Sequence, residues 1–445
     1  MNDRKRTPVR DYSIETRLIY GKANDLHWDY SHHLVPPISA SATFRLDSSR
    51  RGAQGFHDFA HQHDAPESLP TAPIYIYDRL GEPNKDMLEE TLAAAEQGDS
   101  AVTFASGMAA ISAVLGILVQ QGDEVLAHTT LYGCTYSLLT NWFPRLGVRV
   151  TFVDFSDLEA VRSMITNRTR VMYAETPVNP TLRLVDLEGL ARLAAAANAL
   201  RPVTSRIVTV VDSTFATPFC QRPLTHGIDF VVHSLTKGIG GFGTDIGGAV
   251  IGPAWSRDPL LLYRKDFGGV LSAKAAWPVL VQGLPSLAVR MRAMQATAGV
   301  VARYLSTVQD VERVSYPGLE DFEQADLARK QMVDYDGVFA PGALIYFSMC
   351  GDSPAESRHR AERFIDHIAN EAYCITLAVS LGNIRTLIEH PGSMTHAAIP
   401  AQEQLEKGVD PGGIRLAIGL EKSEDIIGDL ERSFESVLEG SINAL

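Results

Sequence analysis

From Pro83 the chain alternates between two hydrophobic periods. Met87, Leu88, Leu92 and Ala95 recur at helical spacing and stop near Gly98, which predicts a helix. Ala101-Val102-Thr103-Phe104 is an apolar run of strand length, followed by the small-residue turn Ala105-Ser106-Gly107-Met108 and an apolar helix reaching Gln121. The same alternation predicts strands over residues 125–128, 148–153 and 171–174, with helices over 157–165 and 187–197. Strands and helices in turn require crossover connections, so a mostly parallel sheet is expected. Two β-branched runs, 207–211 and 230–232, follow; beyond Trp277 come a long helical stretch to about residue 305, strand-like pieces at 343–349 and 413–418, and a helix over 355–370.

That change of pattern places a domain boundary near residue 290, giving a larger domain over 81–290 and a C-terminal one over 291–445. Residues 1–75 lack apolar periodicity and include a long polar piece from Asp47 to Pro73, so the segment is either disordered or an arm that packs on something else, and 1–80 is assigned as an N-terminal arm. With 45% hydrophobic and 21% charged residues the composition is that of a globular protein. A net charge of −13 argues against a nucleic-acid or anionic-membrane surface. The N-terminus is basic but has no apolar segment of leader type, and no run approaches about 18 apolar residues, so the cytoplasm is the expected location. Cys134, Cys220, Cys350 and Cys374 are too scattered for a disulfide framework or zinc ribbon. His57, His61 and His63 have no Cys or carboxylate ligands at site spacing, so they read as a solvated loop and no metal site is expected.

The chemistry gathers where the two β-branched runs end. One stops at Asp212, the other at His233-Ser234-Leu235-Thr236-Lys237, and parallel strand ends of this kind face the crevice where open α/β sheets bind ligands. Lys237 is followed by Gly238, Gly240, Gly241, Gly243, Gly247 and Gly248, a density that marks close backbone approach. A carboxylate, two hydroxyls and a lysine so arranged suit pyridoxal 5'-phosphate (PLP): a Schiff base on Lys237, a pyridine nitrogen kept protonated by Asp212, and a phosphate receiving hydrogen bonds from Ser234 and Thr236. The turn at Ser106-Gly107-Met108 opens a helix, whose free N–H groups and dipole add a phosphate site.

From about Tyr75 to the C-terminus these motifs resemble, in order, those of the Cys/Met-metabolism family of PLP enzymes, which includes methionine γ-lyase, cystathionine γ-lyase, cystathionine γ-synthase and O-acetylhomoserine sulfhydrylase. The resemblance implies an α/β chain of PLP fold type I, the aspartate-aminotransferase-like architecture, with a large, mostly parallel sheet domain and a smaller C-terminal α/β domain. It implies phosphate binding by Ser106, Gly107 and Met108, ring stacking by Tyr132, contact of Asn179 with the cofactor's 3'-oxygen supported by Glu175, and fixation of the substrate's α-carboxylate by Ser380 and Arg415. It also implies that Tyr77 and Arg79 reach into a neighbouring subunit's phosphate site, in a homotetramer of two active-site dimers. Three features depart from the family: Glu82-Pro83-Asn84 after the arm, Gly238 after the lysine, and the extra residues at 47–73.

By the same resemblance, the freed amine of Lys237 shuttles protons, a second deprotonation at Cβ expels the γ-substituent, and Tyr132 protonates the departing sulfur. The expected reaction is γ-elimination of L-methionine or a related sulfur amino acid to 2-oxobutyrate, ammonia and a thiol. The alternative is γ-replacement, as in O-acetylhomoserine sulfhydrylase, or a cystathionine γ-lyase or synthase. Cys134, two residues after Tyr132, resembles the methionine γ-lyase position, and Val379 stands where cystathionine γ-lyases commonly carry a glutamate; together they describe a pocket for a short thioether.

Overall fold

The computed structural model describes residues 12–20, 33–59, 74–395, 405 and 409–442. The N-terminal stretch is less irregular than its sequence pattern implies, since it carries α1 (Ile14–Tyr20) and α2 (Ser49–Asp58). Both are too short to show a period, and packing on the rest of the chain holds them. Leu18 of α1 is 2% exposed, in a cluster with Met87 and Leu88. The side chain of Ser48 caps α2 by accepting from Arg51 N at 3.1 Å, and Gly55 sits so close to Ile74 that a Cβ there would come within 2.8 Å of it. His61 and His63 lie outside the described residues.

The body then follows the alternation: α3 (Pro83–Glu96), β1 (Ser100–Phe104), α4 (Gly107–Leu118), β2 (Glu124–His128), α5 (Gly133–Ser137), β3 (Arg149–Val153), α6 (Leu158–Met164), β4 (Thr169–Glu175), α7 (Leu187–Asn198), β5 (Val208–Asp212), α8 (Thr217–Cys220), β6 (Phe230–Ser234) and β7 (Gly248–Gly252). These strands form one seven-stranded sheet in the order β1-β7-β6-β5-β4-β2-β3. β7 is antiparallel to both of its neighbours and the other pairs are parallel. β7 begins in the glycine-dense segment, and only the short apolar run Ala249-Val250-Ile251 marks it as a strand. α9 (Arg257–Phe267) and α4 cover one face; α3, α10 (Ala273–Pro278) and the first half of α11 (Leu284–Leu305) pack against another apolar cluster of the same sheet.

The helix expected from residue 277 is interrupted. Pro278 ends α10, Val279–Gly283 is a π-helical turn, and α11 resumes at Leu284. α11 belongs to two cores: Leu284, Leu287, Met291 and Met294 pack with the first sheet, and Ala298, Val301, Ala302 and Leu305 with the second. After it come β8 (Val311–Ser315), α12 (Ala325–Gln331), β9 (Leu344–Met349), α13 (Pro354–Glu371), β10 (Ile375–Leu377), β11 (Thr386–Glu389), β12 (Gly413–Ala417) and α14 (Ser423–Ile442). The second sheet runs β10-β11-β12-β9-β8, antiparallel except for β10 with β11. Among the described residues no helix is long and apolar enough to cross a membrane.

The triplet at the start of α3 serves the arm. Glu82 caps the helix by accepting from Asn84 N at 2.9 Å and Lys85 N at 2.6 Å, with Pro83 in its first turn. Asn84 holds the arm at both ends of its amide, accepting from Ser39 N at 2.7 Å and donating to Pro37 O at 3.0 Å.

Candidate active site

β4, β5 and β6 end side by side, with Glu175 paired to Asp212 and Asp212 to Val232. Thr214 ties the ends together: its N–H donates to Asp212 Oδ1 at 2.9 Å, and its hydroxyl accepts from Ser234 N at 2.9 Å. Glu175 accepts from Tyr132 N at 3.0 Å on each of its oxygens. Burial raises the carboxyl of Asp212 above its ordinary range, and burial followed by the nearby Asp212 raises that of Glu175 further. Two adjacent carboxyls so disposed are stabilised by any cation placed between them and the crevice.

The N-terminus of α4 comes up to the same strand ends. Ser106 caps the helix, its Oγ accepting from Ala109 N at 3.1 Å, and the N–H groups of the first turn have no partner within the helix. A Cβ at Gly107 would lie 3.0 Å from that of Ser234, and one at Gly248 would stand 2.2 Å from Ser106 O, so only glycine lets β7 lie this close. Thr236 Oγ1 accepts from Gly247 N at 3.1 Å. Ser106, Gly107 and Ser234 thus meet at the head of α4, with Thr236 tied to Gly247 next to Gly248, while Met108 turns its sulfur to the hydroxyl of Thr135 at 3.9 Å.

A row of contacts leads from Lys237 to the second sheet. Lys237 Nζ donates to Ser380 Oγ at 2.7 Å, Ser380 O accepts from Arg415 Nη2 at 2.8 Å, and Arg415 Nη1 donates to Asn179 Oδ1 at 3.0 Å. Ser380 adopts φ 107°, a left-handed conformation unfavourable to a side chain and of the kind that persists where function requires it. Gly382 makes the approach possible, since a Cβ there would lie 2.3 Å from Gly238 N. Burial, then the nearby Arg415, lowers the Lys237 amine to about 8. Burial, then hydrogen bonding to Cys134, pushes the Tyr132 phenol up to about 12.

The family described as Cys/Met metabolism PLP-dependent enzyme matches residues 15–435. The chain belongs to that family. It is 40% identical to an L-methionine gamma-lyase of Fusobacterium nucleatum subsp. polymorphum over 91% of this chain and 94% of that protein. It is 36% identical to an L-methionine gamma-lyase of Porphyromonas gingivalis over 98% and 100%, and 35% identical to a cystathionine gamma-lyase of Bacillus subtilis over 82% and 89%. Among solved structures, the cystathionine gamma-lyase of Lactobacillus plantarum complexed with L-serine superposes with a TM-score of 0.80 at 32% identity, covering 96% of this chain and all of that one. The fold is thus that of PLP fold type I, and the cofactor is PLP.

The residues present fit it. The raised carboxyls of Asp212 and Glu175 suit a protonated ring nitrogen, and the cradle at the head of α4 suits a phosphate. Tyr132 exposes 39% of its surface beside them and Cys134 is an exposed thiol. Tyr77 and Arg79 lie elsewhere: Arg79 Nη1 donates to Lys265 O at 2.8 Å, its guanidinium stands 5.5 Å from the Tyr77 ring, and Tyr77 is 41% exposed. Gly238 has a local reason, because a Cβ there would meet the Thr217 methyl at 2.7 Å.

Two residues at the site escaped the sequence reading. Arg290 of α11 donates to Gly238 O at 2.8 Å, Ile239 O at 3.2 Å and Gly283 O at 2.8 Å, pinning the turn that carries Lys237; its guanidinium lies 5.6 Å from the ring of Phe242. Glu389, at the end of β11, pairs with Arg415. One of several arginines on α11, or a single carboxylate on a short strand, carries no spacing signal; only the tertiary register reveals these two.

Proposed function

We propose that this protein is a carbon–sulfur lyase that removes the γ-substituent of L-methionine or a related sulfur amino acid, giving 2-oxobutyrate, ammonia and a thiol. The observation that carries this reading is the row from Asn179 through Arg415 and Ser380 to Lys237, which joins a guanidinium suited to a carboxylate with an amine of lowered pKa. The choice of a sulfur amino acid draws on the names of the relatives and on the apolar Val379, 58% exposed beside Ser380.

In this reading Arg415 and Ser380 would orient the α-carboxylate, Ser106, Gly107, Met108, Ser234, Thr236, Asn179, Asp212 and Tyr132 would hold the cofactor, and Lys237 is the residue to which it would be joined. Bound there, PLP supplies an electron sink that makes the protons on Cα and Cβ removable. The Lys237 amine, once free of the cofactor, would serve as the base at both carbons; burial and the nearby Arg415 lower it to about 8, so that it is in part neutral near pH 7. Tyr132, with a pKa of about 12, keeps its proton at neutral pH and donates it to the leaving sulfur. Residues 1–80 form an arm whose Tyr77 and Arg79 complete a neighbouring subunit's phosphate site, 81–290 the cofactor domain and 291–445 the C-terminal domain, in a homotetramer of two active-site dimers. The four free cysteines agree with a cytoplasmic location.

The test offers the PLP-loaded protein L-methionine alone, or O-acetyl-L-homoserine with sulfide. Formation of 2-oxobutyrate and a thiol from methionine is expected. Homocysteine formation from the second mixture without elimination from the first would move the assignment to a sulfhydrylase.

A further inference from the structure

Glu389 and Arg415 are opposite each other on antiparallel β11 and β12, with side chains 1% and 3% exposed. Glu389 Oε1 accepts from Thr395 Oγ1 at 3.0 Å, and Oε2 stands 3.1 Å from Arg415 Nη2. Arginine–carboxylate pairs frequently close on themselves through two parallel hydrogen bonds, although the structural Glu89–Arg264 pair uses one. The Glu389–Arg415 pair does not close in this way. Arg415 directs Nη1 to Asn179 and Nη2 to Ser380 O, and among the described residues its buried Nε and the buried Oε2 of Glu389 make no hydrogen bond. The guanidinium thus keeps a free donor in a place already containing one carboxylate.

Arg415 and Glu389 together are neutral, so a carboxylate that arrives at Arg415 brings a second negative charge to a desolvated site served by one guanidinium. Two like charges at such separation repel strongly where water is excluded. Burial already raises the Glu389 carboxyl above its ordinary range against the opposing effect of Arg415, which shows how little solvation it receives. Lys237 and Tyr132 also lie within electrostatic reach of Glu389. The geometry points to Glu389 as a specificity-determining and positioning residue, a built-in rival that holds Arg415 in place while weakening its grip on any incoming carboxylate. This rests on the reading of Arg415 as the α-carboxylate site. The consequence falls on substrate and product together, because the amino acid enters and the oxo acid leaves as carboxylates. An unopposed, desolvated arginine would retain the product and admit carboxylic acids that lack the amino group.

The test compares the PLP-loaded enzyme with Glu389→Gln, Glu389→Asp and Arg415→Lys, measuring KM and kcat for L-methionine and inhibition by 2-oxobutyrate and by propionate. Glutamine keeps an oxygen for Arg415 and offers its amide to the Thr395 hydroxyl, so the pair survives without the charge. Glu389→Gln is expected to lower KM and to tighten inhibition by both acids roughly tenfold, with kcat reduced as product release slows. Glu389→Asp, which draws the charge back by one methylene, is expected to tighten binding by a smaller factor, and it carries the test if the glutamine variant does not fold. Binding of the two acids that is unchanged or weaker in Glu389→Gln, while Arg415→Lys raises KM, overturns the proposal alone. An Arg415→Lys variant with unaltered KM overturns the reading of Arg415 and this proposal with it.

Discussion

Two buried clusters of charge in this chain use the same residue types to opposite ends. Between α3 and α9, Glu89 Oε1 accepts from Arg264 Nη1 at 2.6 Å, Thr103 N at 2.9 Å and Thr103 Oγ1 at 2.9 Å, while Arg257 stands 3.8 Å from its other oxygen. Lys85, fully buried, reaches Asp78 at 2.8 Å. Burial alone would raise Glu89, but the guanidiniums of Arg264 and Arg257 carry it below its ordinary value. At the strand ends Asp212 and Glu175 have each other for company and both are raised, and Lys237 is lowered with Arg415 nearby. Where the fold supplies the counter-charge, burial makes structure. At the strand ends, among the described residues, no guanidinium is paired with either carboxyl, and a bound cation would stabilise both. Lys85 and Asp86, beside Glu89, are shifted by burial and then by their neighbours, but within a cluster that the fold itself closes. Glu82 marks the intermediate case: it has N–H partners at the head of α3, yet burial still pushes it to about 7.

The strongest way to break the contrast is to alter one charge in each cluster. Lys237→Ala is expected to reduce elimination from methionine by at least about a thousandfold and to abolish the absorption band of lysine-bound cofactor, while the unfolding midpoint of the cofactor-free protein moves little. An active Lys237→Ala protein with an unchanged spectrum would show that the strand-end groups are not the chemical ones. Glu89→Gln should do the reverse. It leaves Arg264 and Arg257 uncompensated in the core, with an expected loss of about 3–5 kcal/mol in unfolding free energy and KM for methionine unchanged. Denaturant unfolding and steady-state kinetics on the same preparations decide it, and a Glu89→Gln protein of undiminished stability would remove the structural half of the comparison.

Much of the strand-end cluster was legible before the fold was known, because its signal is local. Asp212 and Lys237 each close a β-branched run, and the glycines after Lys237 announce close packing, which the 2.2 Å approach of a Gly248 Cβ to Ser106 O makes physical. What the sequence hid depends on register or on packing. Glu389 acquires meaning only when β11 pairs antiparallel with β12 and sets it opposite Arg415. Arg290 acquires meaning only when α11 lies across the turn after Lys237. β7 is marked only by three apolar residues after its glycine-rich approach, and α1 is stabilised by surfaces distant in sequence. The long helix after Trp277 was correctly read as helical in period, yet a π turn at Val279–Gly283 divides it, following a proline that cannot donate a backbone hydrogen bond.

The smallest expected effect concerns the edge of the reactive cluster. Cys134 is an exposed thiol two residues from Tyr132, and its side chain contributes to raising the phenol after burial has done most of it. If Tyr132 donates its proton to the leaving group, a neighbour that tunes the phenol or contacts the departing substituent should discriminate between leaving groups, whereas a thiol that only fills space should not. A sulfur that departs as a thiolate takes up that proton, while acetate is a far better leaving group and needs it less. Cys134→Gly is therefore expected to change the ratio of kcat/KM for methionine to that for O-acetylhomoserine by several-fold, on the order of 1 kcal/mol in relative barrier. Cofactor content should stay that of the unaltered protein. Equal losses on both substrates would place Cys134 with the structural residues and narrow the reactive cluster to Tyr132, Lys237 and the strand-end carboxyls.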